Sequence, residues 1–319
     1  MFLVPDFKGF DFFPHGTRID FMRWKDICFG LSVLAMVGAL VLVAVKGLNY
    51  GVDFKGGLLV EMQSKSGAAD LGSIRSTVGA LGLGDVQIQS FGAPSDVLIR
   101  VEQQPGGEKA QQEALSRIVT ALGDGFTQRR VEVVGPAVSS ELRLTGTIAV
   151  LASIVAIIVY VWFRFEWQFA LGTVVALSHD VLFTVGIFSL FELEFDLAIV
   201  AALLTILGYS VNDTVVVSDR IRENLRKYKK MELVELLNLS INETLSRTIL
   251  TGATTIAVLI ALFLFGGEVI KNFTFAMLAG VLIGTYSSIF IAAPLLGYLG
   301  VKRDWSGEKA AAGGAASKA

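Results

Sequence analysis

The sequence has 319 residues, 53% of them hydrophobic and only 18% charged, and its 27 basic and 29 acidic side chains leave a net charge of −2. This excludes an ordinary soluble enzyme, which carries more charge and shorter apolar runs; net charge itself says little about partners, and no nucleic acid is expected among them. A single cysteine, Cys28, excludes an intrachain disulfide.

In chain order, residues 1–26 form a polar lead-in whose "RIDFMRWKD" mixes Phe, Met and Trp with charges, as an interfacial segment does. The run at 27–45 is long enough to cross a hydrocarbon core of roughly 30 Å. No small-residue cleavage pattern follows it before "KGLNYG", so it is expected to remain as an anchor. Residues 46–143 are polar and predict a small external domain. Apolar residues alternate in "LLVEMQ", "DVQIQSF", "DVLIRVE" and "RRVEVVG", with Val97, Ile99 and Val101 on one face. Helical spacing appears between the first two strands (Leu71, Ile74, Val78, Leu81) and between the last two (Leu115, Ile118, Leu122). The order β-α-β-β-α-β predicts an α+β ferredoxin-like domain. No ligand motif stands out in it, which favours recognition or a mechanical role.

Residues 144–300 hold five more apolar runs, at 146–163, 169–191, 197–217, 249–266 and 272–299. Pro294 is placed to end or kink the last. A charged connection, 218–248, separates the fourth and fifth, and the tail 301–319 ends in low-complexity "AAAGGAASKA", expected to be disordered. The fold class is therefore a polytopic α-helical membrane protein of six transmembrane helices with one external domain. Lys and Arg number four in the N-terminal segment, seven over 218–249 and four in the tail. The loops "ELEFD" and "GGEVIKN" together hold one, Lys271. The positive-inside rule then puts both termini in the cytoplasm and the external domain outside.

Polar residues inside the spans are the candidates for function, because a charged side chain at the bilayer centre costs from about 2.5 to more than 10 kcal/mol. In the fourth span Thr205, Tyr209, Asp213 and Val216 form one stripe, with Asn212 beside it. Asp213 sits about four residues, or roughly 6 Å, inside the end of the run. In the fifth, Thr244, Arg247, Thr248, Thr251, Thr254 and Thr255 recur at spacings of three and four. A charge-assisted Asp213–Arg247 pair is feasible. In the third span His179 and Asp180 lie deeper, with Thr173 and Thr184 roughly on the same side. Low dielectric favours the neutral acid and a nearby guanidinium favours the ion. A helix movement that makes and breaks such a contact therefore switches proton affinity. Asp213, Arg247, Asp180 and His179 are the expected proton path, supported by Tyr209, Asn212, Thr248 and Thr251. The alternatives are a static ion pair, a snorkelling arginine and threonines that satisfy only each other.

The turn "NYGVDFKGG" offers two glycines and Lys55 but lacks the order of a phosphate-binding loop, and reads instead as a strained passage from membrane to strand. Two histidines and one cysteine build no catalytic or metal constellation, so neither enzyme activity nor a cofactor is expected.

The segments "YGVDFKGG", "VEVVGPAVSSEL", "FRFEWQFALG", "LSHDV", "GYSVNDTVVVSDRIREN" and "ETLSRT" resemble, in order, the motifs of the SecF family of bacterial protein-export membrane subunits, within the resistance–nodulation–division superfamily. The resemblance implies six spans and a periplasmic domain. It also implies pairing with SecD, work beside the SecYEG channel and in many bacteria YajC, and use of the proton-motive force to draw preproteins across the inner membrane. In the family the positions matching Asp213 and Arg247 take part in proton transport, and a further aspartate belongs to SecD. A proton-coupled transporter of small hydrophobic molecules or lipids is the alternative from the same superfamily, and a passive scaffold is a third reading.

Overall fold

The computed structural model describes residues 17–301, so the N-terminal part of the lead-in and the low-complexity tail lie outside the described residues. Six helices of 24 to 33 residues are long and apolar enough to cross a membrane. The first, α1 (Lys25–Lys46), follows a 3₁₀ turn at Met22–Trp24 and ends where Gly47 takes φ 78°.

The chain then makes a two-residue strand β1 (Asn49–Tyr50), a single helical turn α2 (Val52–Lys55) and the glycine pair Gly56–Gly57 before strand β2 (Gly57–Ser64). Gly57, at φ 131°, leaves room for no other residue, because a Cβ there would stand 2.5 Å from the Val101 carbonyl oxygen. Next come α3 (Leu71–Gly79), β3 (Val86–Phe91), β4 (Ala93–Val101), α4 (Glu108–Leu122) and β5 (Phe126–Val134). Asp70 starts α3 by accepting from the amides of Gly72 and Ser73 at 2.9 and 3.2 Å. The sheet order is β3-β4-β2-β5, every neighbouring pair antiparallel.

The alternation in sequence sorts the two faces of this sheet. Leu58, Val60, Met62, Val97, Ile99 and Val101 are buried against Ile74, Val78, Ala114 and Ile118 of the two helices. Leu59 and Leu98 turn the other way, onto Val52.

The remaining elements are α5 (Pro136–Arg164), α6 (Trp167–Leu190), β6 (Glu194–Phe195), α7 (Leu197–Lys227), α8 (Leu233–Phe265), α9 (Lys271–Ser287), a π-helical turn at Ser288–Ala292 and α10 (Ala293–Leu299). About half of the apolar window is buried in α6, in α7 and in the α9–α10 span, against 11–17% in α1, α5 and α8. The first three are therefore the centre of the bundle. Small residues let them close: a Cβ on Gly280 would overlap Ile206, and one on Gly284 would stand 3.1 Å from the Ser210 Cβ.

Three expectations change. The inserted domain, read as 46–143, ends at Val134, and α5 begins ten residues before its apolar run because Pro136 occupies a first-turn position where its missing N–H costs nothing. The charged connection 218–248 is helical over most of its length. Ile221 and Leu225 bury against Leu236, Leu237 and Ile241, so α7 and α8 run on as a helical hairpin turning at residues 228–232. At 31 residues α7 is about 46 Å long, well beyond a bilayer core. Finally, Pro294 does not end the last span. Its missing donor and ring bulk are absorbed by the π-turn just before it.

The inserted domain is tied to the bundle at one corner. β1 pairs in parallel with β6, Asn49 opposite Glu194 and Tyr50 opposite Phe195. The Gly51 amide donates to the Phe195 carbonyl at 3.0 Å. Asp53 accepts from the Leu197 amide at 3.0 Å and Asp196 from Ile199 at 3.0 Å, so carboxylates from both sides cap the start of α7.

Candidate functional site: a split acid cluster in the bundle

Asp213 lies sixteen residues along α7, about 24 Å from its capped end. It is buried, and Thr248 Oγ1 of α8 donates to its Oδ1 at 2.6 Å. Its other oxygen, Oδ2, is buried with no hydrogen-bond partner among the described residues. The pair with Arg247 that the sequence makes feasible is not among the close ion pairs of the described residues: Arg247 is exposed on the neighbouring face of α8, near enough for its charge to act on Asp213. Adjacent residues on a helix point about 100° apart, so Thr248 and Arg247 cannot both face α7, and the short hydroxyl takes the buried position.

Asp180 is bound quite differently. Its Oδ1 lies 3.0 Å from His179 Nδ1, and its Oδ2 accepts from Ser210 of α7 at 2.6 Å and from Ser287 of α9 at 2.9 Å. Both oxygens are occupied, and the residue is completely buried. His179 stacks on Phe183 and lies near Tyr286, whose hydroxyl donates to the Cys28 carbonyl at 2.9 Å and meets Ser32 Oγ at 2.9 Å. One network thus joins α1, α6, α7 and α9. Between the two acids, Thr214 Oγ1 and Ser288 Oγ are 3.0 Å apart.

The supporting residues divide. Tyr209 is half-buried near Gly252 and Thr285, whereas Asn212 is exposed. Thr251 is exposed and donates back to the carbonyls of Arg247 and Thr248, as Thr254 and Thr255 do within α8. The hydroxyl-rich face is therefore not continuous. Thr244 and Thr248 turn into the bundle, while Thr251 and Thr254 face outward. Thr173 and Thr184 likewise spend their donors on Phe169 and Asp180 carbonyls of their own helix.

The sequence reading missed Ser210, Thr214, Ser287 and Ser288. The adjacent serines of "TYSSIF", six residues before Pro294, were the available signal. A π-turn there is also a common mark of functional positions.

Residues 114–302 match the family described as protein export membrane protein SecD/SecF, C-terminal, and residues 41–68 match the SecD/SecF GG motif. A protein translocase subunit SecF from Rhodobacter capsulatus is 47% identical over 306 residues, covering 91% of this chain and 92% of its own length. The chain belongs to the SecF family of protein translocase subunits. It is accordingly an accessory subunit of the Sec translocase. The protein translocase subunit SecDF of Brucella abortus is 43% identical over 289 residues, which are 38% of that longer chain. The crystal structure of SecDF from Thermus thermophilus superposes with a TM-score of 0.80 at 35% identity, covering 89% of this chain and 39% of that one. SecDF in a super-membrane-facing form gives 0.66 at 34% identity.

Proposed function

We propose that this SecF chain couples proton movement to late preprotein translocation, working with SecD beside the SecYEG channel and YajC in the bacterial inner membrane. The observation that carries the reading is the Asp213 carboxyl, buried in the middle of a long helix with Thr248 on one oxygen and, among the described residues, no hydrogen-bond partner for the other. A buried acid of this kind is tolerable when neutral and needs a counter-charge when ionised. Arg247 is one residue from the Thr248 that now faces it. A turn of α8 by about 100° exchanges hydroxyl for guanidinium opposite Asp213, and reversing it restores the neutral site. Each proton that moves inward releases about 2.3 kcal/mol per 100 mV of membrane potential.

Two further observations support the partner. Asn212 on α7 and Arg247 on α8 are exposed polar side chains within apolar spans. Leaving them in lipid is costly, which favours a second membrane protein as their cover. The relatives in which a matching segment is part of a longer SecDF chain favour SecD as that protein. Asp180 and His179 are read as the fixed support behind the path rather than as proton carriers. With both carboxyl oxygens engaged, Asp180 holds α6, α7 and α9 in register behind the exchanging acid. The distribution of Lys and Arg supports cytoplasmic termini and a periplasmic inserted domain. The sheet order β3-β4-β2-β5 supports the ferredoxin-like reading of that domain. We further propose that it moves the emerging chain without covalent catalysis.

The test is export of a secretory polypeptide into vesicles containing this chain and its partner, with and without a proton gradient. Asp213→Asn and Arg247→Gln should each remove the gradient-dependent increment and leave ATP-driven export intact. Full gradient stimulation in both variants would exclude the reading.

A further inference from the structure

The corner that ties the inserted domain to the bundle is unusually acidic. Arg100 of β4 reaches across it to Glu194 of β6, and the side chains are only 13% and 19% exposed. This is the ion pair that crosses the joint. Around Glu194 the charges are mostly of its own sign. Asp53 of α2 and Glu132 of β5 belong to the inserted domain, and Asp196 belongs to the bundle at the start of α7. Glu61 of β2 and Glu268, in the turn before α9, line the same cleft of about 340 Å³. The other bases there have partners already. Arg130 pairs with Glu132, Lys271 with Glu268 at 2.8 Å, and Lys46 with Glu192 at 2.9 Å on the adjoining rim. On the far side of Arg100, Lys55, Asp85 and Glu102 line a second cleft of about 350 Å³.

Closing the joint therefore presses carboxylates of the domain against carboxylates of the bundle, with Arg100, among the described residues, as the base paired across it. The packing allows little relief, since a Cβ on Gly51 would stand 2.8 Å from Glu194 Oε1. Two outcomes lower the repulsion: the joint takes up a proton, or it opens.

We propose that this joint is held shut by protons from the side of the membrane where the inserted domain lies, and that it loosens when Glu194 is ionised. Burial, the largest influence on Glu194, pushes its carboxyl above the ordinary value of 4.5; Arg100 opposes the rise, and Asp196, Glu132 and Asp53 add to it. Asp196 is raised in the same direction, again by burial first. A carboxyl that holds its proton more tightly in the closed form than in the open one makes acid favour closure. The joint is thus a second proton-responsive element, far from Asp213, acting on the orientation of the external domain.

The experiment places spin labels at Gln128→Cys on β5 and Val269→Cys beside α9, both exposed, with Cys28→Ser to remove the native thiol. The full chain is assembled with SecD in lipid nanodiscs, and the label distance is measured from about pH 4 to about pH 8.5 with no gradient. The short-distance population should dominate at about pH 4 and yield to a longer, broader one as pH rises, by at most about tenfold per pH unit for one proton. Glu194→Gln should hold the short population at every pH, and Arg100→Gln should move opening to lower pH. A wild-type distribution unchanged over this range, or one that widens on acidification, overturns the proposal whatever the variants do. No export is measured, so this result and that for Asp213 fail separately.

Discussion

Asp180→Asn and Asp213→Asn are the same chemical change made at two buried acids, and the structure predicts opposite consequences. At Asp180 three donors converge on the carboxyl: His179 Nδ1, Ser210 and Ser287, at 3.0, 2.6 and 2.9 Å. Hydrogen bonds to a charged group contribute about 1.5–3 kcal/mol, against about 0.5–1.5 for neutral pairs. The amide keeps the shape but turns each bond into a neutral one and sets an NH₂ against donors. Ser287 has an alternative acceptor in the Gly284 carbonyl at 3.1 Å, which limits its share. The loss should be about 2–3 kcal/mol. At about 1.5 °C per kcal/mol for a chain of this length, this lowers the melting temperature by roughly 3–5 °C. At Asp213 the amide oxygen still accepts from Thr248, and only a weak contact with the Ser288 hydroxyl is put at risk, so the change should stay within about 1 kcal/mol. Thermal unfolding of both variants in nanodiscs, paired with gradient-stimulated export, separates the roles. Asp180→Asn should be less stable but retain coupling in the folded fraction, whereas Asp213→Asn should be stable and uncoupled. Equal destabilisation, or loss of coupling in the folded Asp180→Asn protein, would refute the division.

Further outcomes follow from the packing and the joint. Gly280→Ala drives a Cβ into Ile206 and should destabilise the α7–α9 contact by about 1–3 kcal/mol, read as a lower melting temperature. Asp53→Ala removes a cap from the Leu197 amide and should cost about 1 kcal/mol, seen as faster hydrogen exchange confined to the start of α7. The raised Glu194 carboxyl favours the folded joint while protonated. Local stability should therefore be greatest below 4.5 and decline as pH rises from 4.5 through the raised value. Exchange at the Gly51 amide, corrected for its intrinsic pH dependence, should follow that decline in wild type and not in Glu194→Gln.

Much of the architecture was legible because it rests on local periodicity. The six apolar runs became six helices, and the alternation of Val97, Ile99 and Val101 became one buried face of β4. What stayed hidden depends on neighbours remote in sequence. The charges of 218–248 mark a connection facing water and do not show its helices, since Ile221 and Leu225 find Leu236 and Ile241 only once α7 and α8 have turned back on each other. Asp213 was legible as an expensive group, but its partner was not. Helical phase decides between Thr248 and Arg247, and that phase is fixed by the packing of α7 against α8. The serines around Asp180 look like ordinary small residues until Gly280 and Gly284 bring α9 close enough for Ser287 and Ser210 to meet one carboxyl. The joint was least visible, since Arg100 and Glu194 are 94 residues apart.

The central claim is that a proton binds at Asp213, and proton flux measures it most directly. Vesicles holding this chain, its partner and the translocase, with a pH-sensitive dye enclosed, should show proton movement that accompanies translocation in wild type and in Asp180→Asn. Asp213→Asn should abolish that movement while the complex remains assembled. Undiminished proton movement in Asp213→Asn would contradict the account and leave Asp213 as a packing residue held by Thr248.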